Sequence, residues 1–179
     1  MQKVNRPQGK WWWNAVFFLI AISVVVGDQL SKIWIRSFPE QQVIFDVGLF
    51  RIIRGDPNTG AAFGLFQGHS FALTIASFVG AAVILVYALF ICRRFSFLNN
   101  MISKAALGAV LGGTVGNLID RLNLGYVTDF ISMAGFPWSF NVADASITVG
   151  VVVFAGCLLY LLFSQRREIK RDKIASQKN

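Results

Sequence analysis

Apolar positions dominate the chain and collect into four long runs. A helix needs about 20 mostly apolar residues to cross a hydrocarbon core roughly 30 Å thick. Residues 11–35, 71–92, 102–120 and 143–163 meet that length. The first run is interrupted late by Asp28 and Lys32, the second carries no charge, and the third is rich in Gly and Ala. Between the first two runs, Gln42 to Arg54 (QVIFDVGLFRIIR) is rich in β-branched and aromatic residues and ends at Gly55-Asp56-Pro57-Asn58. That pattern predicts one or two short strands closed by a turn. Residues 122–140 carry Phe130, Ile131, Met133, Phe136, Trp138 and Phe140. An apolar, aromatic segment outside the spans is expected to lie on the membrane surface. The expected architecture is a single polytopic domain, all-α in its four transmembrane helices, without repeat, linker or low-complexity tract.

Composition agrees. The 179 residues are 55% hydrophobic and 15% charged, and the mean hydropathy is +0.56. Soluble domains have about 45–50% apolar and about 25% charged residues, so disorder is excluded and a water-soluble domain disfavoured. A net charge of +8 could point to nucleic acid, but the placement of the charges argues otherwise. Lys3, Arg6 and Lys10 precede the first run; Arg93, Arg94 and Lys104 sit in a short middle connection; Arg166, Arg167, Lys170, Arg171, Lys173 and Lys178 follow the last. Most acids lie elsewhere. This is the positive-inside pattern, which puts 1–10, 93–101 and 164–179 in the cytoplasm and 36–70 and 121–142 on the opposite side. No nucleic acid is expected as a partner. The first run is expected to stay uncleaved, because the residues before Asp28 offer no small-x-small site. Trp11, Trp12 and Trp13 fit an interfacial aromatic anchor. Cys92 and Cys157 belong to different depths, which predicts no disulfide.

Ionisable residues inside membrane segments are expensive and mark function. Here they gather at the extracytoplasmic ends of the runs. Asp28 and Lys32, with Gln29 and Ser31, occupy the last third of the first; at i, i+4 the charged pair shares a helix face, and a simple internal salt bridge is one reading. Asn58 and Gly60 lie in Asn58-Thr59-Gly60-Ala61-Ala62-Phe63-Gly64, where a turn is the plainer alternative. Asn117, Asp120 and Arg121 end the third run, on one face expected to point into the bundle, just after Gly112 and Gly116, which are four apart as in close helix packing. Asp129 lies in Val127-Thr128-Asp129-Phe130. Asn141 and Asp144 begin the fourth run, where helix capping by Asn141 with Asp144 in the first turn is the alternative.

The available chemistry is carboxylate chemistry. The single His69 has no matched partner for a nucleophilic triad, and this side lacks the His and Cys ligands of a zinc site; no metal or cofactor is expected. Two carboxyls at a membrane boundary can share a proton, since proximity and poor solvation split their titration. The ionised one then takes a proton from water, while the protonated one polarises a carbonyl. Order and depth favour Asp129 with Asp144. Asp28 and Asp120 each have a cation nearby in sequence, which suits supporting roles. A proton-coupled carrier is the rival reading; it predicts a polar path and broken helices at mid-membrane, whereas these residues stop near one face and the second run is uninterrupted. A non-catalytic scaffold would tolerate Asn at 129 and 144, and no GxGD motif supports another intramembrane aspartic protease.

Five blocks in order carry a resemblance: Asp28-Gln29-Leu30-Ser31-Lys32; Asn58 to Phe63; Gly112-Gly113 through Gly116-Asn117 to Asp120-Arg121; Val127-Thr128-Asp129-Phe130; and Phe140-Asn141-Val142-Ala143-Asp144. The chain resembles bacterial lipoprotein signal peptidases (signal peptidase II). The resemblance implies an aspartic endopeptidase of the bacterial cytoplasmic (inner) membrane. It implies a diacylglyceryl-modified prolipoprotein as substrate, cut just before the lipidated Cys, and blockade by globomycin-like cyclic peptides. It maps the catalytic pair onto Asp129 and Asp144, and supporting or substrate-binding roles onto Asp28, Lys32, Asn58, Gly60, Asn117, Asp120, Arg121 and Asn141. It also implies an extracytoplasmic β-cradle, fitting residues 42–54, and a mobile surface helix within 122–140. A monomer is expected. Thr128 stands where Val is common, and its hydroxyl could hydrogen-bond nearby.

Overall fold

The structure, a computed structural model, describes residues 12–60, 65–94 and 98–176. Lys3, Arg6, Lys10 and Trp11, the Ala61–Gly64 part of the second polar block, and Lys178 lie outside the described residues, as do the side chains of Arg93, Arg166, Lys170, Arg171 and Lys173.

Helix α1, Trp12–Arg36, buries Phe17, Ala21, Asp28, Lys32 and Ile35. These positions recur every three, four or seven residues, so they form one face. Its large apolar side chains, Leu19, Ile22, Val26, Leu30 and Ile33 among them, point outward. A soluble helix would do the reverse; a lipid-facing helix has no reason to. Helix α2, Ser70–Val86, buries no residue and passes into a π-helical turn, Tyr87–Ile91, and a short turn, Cys92–Arg94. Helix α3, Met101–Leu124, packs against α1, α2 and the last helix, α4, Val142–Ser176. Four stretches are long and apolar enough to cross a membrane: Trp12–Arg36, Ser70–Ile91, Met101–Leu124 and Val142–Tyr160.

Helix α3 is the post around which the others stand. Lipid chains are as apolar as leucine, so helices in a bilayer associate by close packing and polar contacts rather than by a hydrophobic drive. The small residues of α3 supply the closeness. A Cβ on Gly112 would come 2.6 Å from the Ala21 carbonyl of α1, and one on Gly116 would come 2.6 Å from Asp28 Oδ2. Asn100 caps the start of α3 by accepting from Ser103 N at 2.9 Å, and Gly125 N closes its end on the Arg121 carbonyl at 3.1 Å.

The sheet lies between helix ends. Strands β1, Val43–Asp46, and β2, Phe50–Ile53, form a hairpin; β3, Ile131–Met133, and β4, Ser139–Phe140, extend it in the order β1-β2-β3-β4, all antiparallel. A separate bridge joins Asn58 and Val127 through Asn58 N to Val127 O at 3.0 Å and Val127 N to Asn58 O at 2.8 Å. Ile53 N donates to Phe130 O and Phe130 N to Phe140 O. The backbone on both sides of Asp129 is therefore fixed by hydrogen bonds.

Three expectations change. The segment within 122–140 holds strands rather than a surface helix: Phe50↔Met133 and Ile52↔Ile131 pair across the edge of β2, so a neighbouring strand satisfies the backbone that a helix would have satisfied internally. The second run is continuous but not uniformly α-helical, because of the π turn. Lys104 is no surface charge of a connection. It lies one turn into α3, fully buried, where its Nζ donates to Asn14 Oδ1 at 2.9 Å and to the Ala88 carbonyl in the π turn.

Overpacking a filled contact typically costs about 1–3 kcal/mol. Gly112→Val should lose at least that much stability in detergent, read as a lower thermal midpoint. Gly80→Val should be near neutral, because a Cβ at Gly80 meets nothing within 4 Å.

Candidate active site

A buried charge cluster centres on the Lys32 ammonium. Its Nζ lies 2.9 Å from Asp28 Oδ2, 3.3 Å from Asp120 Oδ2 and 2.9 Å from Asn117 Oδ1. Lys32 and Asp28 are 0% exposed and Asp120 is 1% exposed. Arg36, one turn on, lies 3.4 Å from Asp120 Oδ1. Two cations, the buried Lys32 and the partly exposed Arg36, thus face two buried carboxylates. Gln29 Nε2 bridges Asp28 Oδ2 at 3.1 Å and Asp120 Oδ1 at 3.3 Å, tying α1 to α3.

Each carboxylate of this group also holds a piece of backbone. Asp28 Oδ1 accepts from Ala143 N at 2.9 Å, which pins the first turn of α4. Asp120 Oδ2 accepts from Thr128 N at 3.0 Å, which pins the residue before Asp129. The Thr128 hydroxyl accepts from Arg36 Nη1 at 3.0 Å. The charged cluster therefore positions both Asp129 and Asp144 without touching either.

Above it, three asparagines distribute hydrogen bonds. Asn117 Oδ1 accepts from Lys32, and its Nδ2 donates to Asp144 Oδ1 at 2.8 Å. Asn141 Nδ2 donates to Asp129 Oδ1 at 2.6 Å and to Asn117 Oδ1 at 3.2 Å. Asn58 Nδ2 donates to Asp129 Oδ2 at 2.8 Å. The start of α4 is also a capping box: Asp144 N donates to Asn141 Oδ1 at 3.0 Å and Asn141 N to Asp144 Oδ2 at 3.3 Å. Capping and site-building, posed as alternatives by the sequence, are one arrangement here.

Asp129 is 7% exposed and sits between α3 and β3. Burial, followed by the negative charge of Asp144, pushes its carboxyl up to about 6, against the pull of the Asn58 and Asn141 amides and the Lys32 charge. Both carboxyls line one cavity of about 430 Å³. Val127, Met133, Phe136, Trp138, Phe140 and Val149 form its apolar wall, and Asn58, Asn117 and Arg121 join the pair on its polar side. Two carboxyls that share a site and a cavity, one with a raised pKa, can divide the roles of base and acid toward a bound water.

All ten site residues expected from sequence lie in or beside this network. Asp28, Lys32, Asp120 and Asn141 stand behind the cavity, and Gly60 enters through its carbonyl, which accepts from Arg121 Nη2 at 3.0 Å. One assignment needs correction. The ion-pair partners of Asp120 are Lys32 and Arg36 rather than the adjacent Arg121, which turns toward Gly60; successive helical residues point about 100° apart. Arg36 escaped sequence reasoning, although its spacing from Asp28 and Lys32 places it on the same face. Among the described residues no group of three or more His, Cys, Asp or Glu could hold a metal. His69 stays on an exposed loop, its Nδ1 3.1 Å from the Gln67 carbonyl.

Known proteins share this arrangement's sequence. The sequence model of a family described as signal peptidase (SPase) II matches residues 20–161. The chain belongs to the signal peptidase II family. A protein named lipoprotein signal peptidase from Dehalococcoides mccartyi (strain ATCC BAA-2266 / KCTC 15142 / 195) is 45% identical over 150 residues, covering 83% of this chain and 91% of that one. One from Moorella thermoacetica is 36% identical over 153 residues, covering 85% and 98%. A solved bacterial membrane enzyme superposes with a TM-score of 0.72 at 28% identity, over 82% of this chain and 88% of its own. The fold is thus a four-helix membrane bundle with a small sheet, and the signal peptidase II chain is a multi-pass membrane peptidase.

Removing one partner of a buried ion cluster typically costs about 3–5 kcal/mol. Lys32→Met, which strands Asp28 and Asp120 together, should lower the thermal midpoint sharply. Adding Asp28→Asn to it should recover part of the loss, and a double-mutant cycle reads the coupling.

Proposed function

We propose that the chain is an aspartic endopeptidase that removes signal peptides from prolipoproteins already carrying a diacylglyceryl group on the lipobox cysteine, cutting just before that cysteine. One observation carries the reading: Asp129 and Asp144 line the same mostly apolar cavity, and each accepts hydrogen bonds on both carboxyl oxygens, Asp129 from the Asn58 and Asn141 amides and Asp144 from the Asn117 amide and Asn141 N. The names of the relatives supply the substrate class.

In the proposed chemistry the pair shares one proton, carried at rest by Asp129. Ionised Asp144 takes a proton from water, and the resulting hydroxide adds to the scissile carbonyl as Asp129 gives its proton to the carbonyl oxygen. The product is a neutral tetrahedral diol. It collapses when Asp144 protonates the leaving nitrogen and Asp129 recovers a proton from a diol hydroxyl. A carboxylic acid and the free α-amine of the lipidated cysteine result, and the pair returns to its starting state. Asn58, Asn117 and Asn141 keep the carboxyl planes fixed, while Asp28, Lys32 and Asp120 act one layer behind. Arg121, at the cavity edge with its Nη2 on the Gly60 carbonyl, suits substrate binding.

The apolar wall suits a diacylglyceryl chain and a signal-peptide helix that stay in the bilayer. We infer the same membrane placement as the charge pattern: spans near 11–35, 71–92, 102–120 and 143–163, both termini and the 93–101 connection cytoplasmic, the sheet and the Asp pair at the extracytoplasmic face. A globomycin-like cyclic peptide would occupy the same cavity without presenting a cleavable bond, and a monomer suffices because both carboxyls come from one chain.

The test is a gel-shift cleavage assay with a prolipoprotein, with and without its diacylglyceryl group. Wild type should cut only the lipidated form, and Asp129→Asn and Asp144→Asn should each lose at least about a thousandfold in kcat, the scale of losing an acid or base. Full activity in either variant would remove that residue from the pair. With Asp129 as the proton holder, kcat/KM should fall as pH rises through about 6, since deprotonation leaves no acid for the carbonyl. The same limb on kcat should lie higher, because substrate displaces water from the pair. A flat profile across that range would contradict the assignment.

A further inference from the structure

Two cavities meet at Asp129. The second, of about 210 Å³, shares Asn58, Asp129, Trp138 and Ser139 with the first and is otherwise bounded by the Gly55–Pro57 turn, Gln67 and Pro137. Where the first is mostly apolar, this one sets Asp56, Asn58, Gln67, Asp129 and Ser139 against Pro57, Pro137 and Trp138, so that about half of its lining is polar. From Asp129 a line of polar groups runs into it. Asn58 Nδ2 donates to Asp129 Oδ2 at 2.8 Å, Gln67 Nε2 to Asn58 Oδ1 at 3.3 Å, and Thr59 Oγ1 to Gln67 Oε1 at 2.8 Å. Asp56 and Gln67 at its edge are exposed.

Hydrolysis consumes one water per bond cut. An acylated peptide seated in the first cavity covers the carboxyl pair with hydrocarbon, and the apolar wall offers water no partner there. Ordered water needs polar neighbours and about 10–15 Å³ of accessible volume; the second cavity supplies both, in contact with Asp129.

We propose that the second cavity is a water port: the hydrolytic water reaches the Asp129–Asp144 pair through it, from the side of the 55–58 turn, while substrate holds the first. This rests on the peptidase reading. The oxygen that enters ends in the new carboxyl group of the released signal peptide, and its two protons are shared between that product and the new cysteine amine. Asn58 is both a hydrogen-bond donor to Asp129 and the inner end of the port. Gln67 is a positioning residue of the port and touches neither carboxyl.

The test plugs the port on folded enzyme. Gln67→Cys and Pro137→Cys, made separately, are treated with a methanethiosulfonate that transfers either a methylthio group or a bulky aromatic thio group to the cysteine, forming a mixed disulfide and releasing methanesulfinate. Wild type takes the same treatment as a control for Cys92, which is buried, and Cys157. Each labelled enzyme is compared with its own unlabelled form on a lipidated prolipoprotein. The bulky adduct should lower kcat by about tenfold or more with KM within about twofold, the signature of a lost catalytic step with binding intact. The methyl adduct should change little, and reductant should restore the rate. A rise in KM that grows with the length of chain after the cysteine would mean that the cavity holds polypeptide, and would overturn the port. Full activity with bulky adducts at both positions would also overturn it. If unlabelled enzyme and wild type cut no lipidated substrate, the peptidase reading itself falls, and the port with it.

Discussion

A lysine ammonium buried between two carboxylates organises this molecule. In a bilayer, unpaired charge is expensive enough that Lys32, Asp28 and Asp120 each require the others. That requirement fixes α1 against α3, because Lys32 and Asp28 come from one helix and Asp120 from the other. The same carboxylates have oxygens left over. Asp28 uses one on Ala143 N and Asp120 one on Thr128 N, so the start of α4 and the approach to Asp129 are set by the ion cluster. Buried ion pairs are weak contributors to net stability but strongly penalise alternative arrangements that break them. Here the cluster acts less as glue than as a jig that places two other carboxyls.

Those two carboxyls face a second constraint. A peptidase acting beside lipid has to admit water and an acyl chain to the same few atoms. On the proposed reading, different parts of the molecule meet the two needs. Helices α1, α2 and α4 turn large apolar residues outward, while the polar atoms of the site concentrate where α1, α3 and α4 meet the sheet. Asn117 and Asn141 mediate between the charged cluster and the carboxyl pair, and Asn58 holds Asp129 from its bridge to Val127. An amide offers donor and acceptor together, so Asn117 can accept from Lys32 while donating to Asp144 without adding charge. The strand pairing around Asp129 and the capping box at Asp144 then hold both carboxyls with little freedom to reorganise, which is what electrostatic catalysis requires.

Much of this was legible in the sequence, for physical reasons. A charged or amide residue in a membrane run is conspicuous, so Asp28, Lys32, Asn117 and Asp120 stood out against apolar neighbours, and the β-branched run 42–54 announced short strands, though not that they pair as a hairpin. What stayed hidden depended on partners distant along the chain. The aromatic stretch 122–140 has no period of its own strong enough to separate strand from surface helix; the edge of β2 decides it. Lys104 near a span end looks the same whether it anchors topology or donates to Asn14 and the Ala88 carbonyl, and only the packing of α1 and the π turn tells them apart. Arg121 follows Asp120 directly, yet helical geometry sends the two side chains apart. Gly60 was visible as a block member, but its use, a carbonyl offered to Arg121, appears only in three dimensions.

The account's central claim is that Asp129 and Asp144 form a pair that keeps one proton well above the ordinary carboxylate range. Infrared difference spectroscopy of carboxyl stretching, with isotope-labelled aspartate and the Asp129→Asn protein as reference, observes that proton without relying on turnover. A single protonated carboxyl that disappears with an apparent pKa of about 6, and is missing from the variant, is the expected result. Two carboxyls that both ionise in the ordinary carboxylate range near 4 would contradict the account.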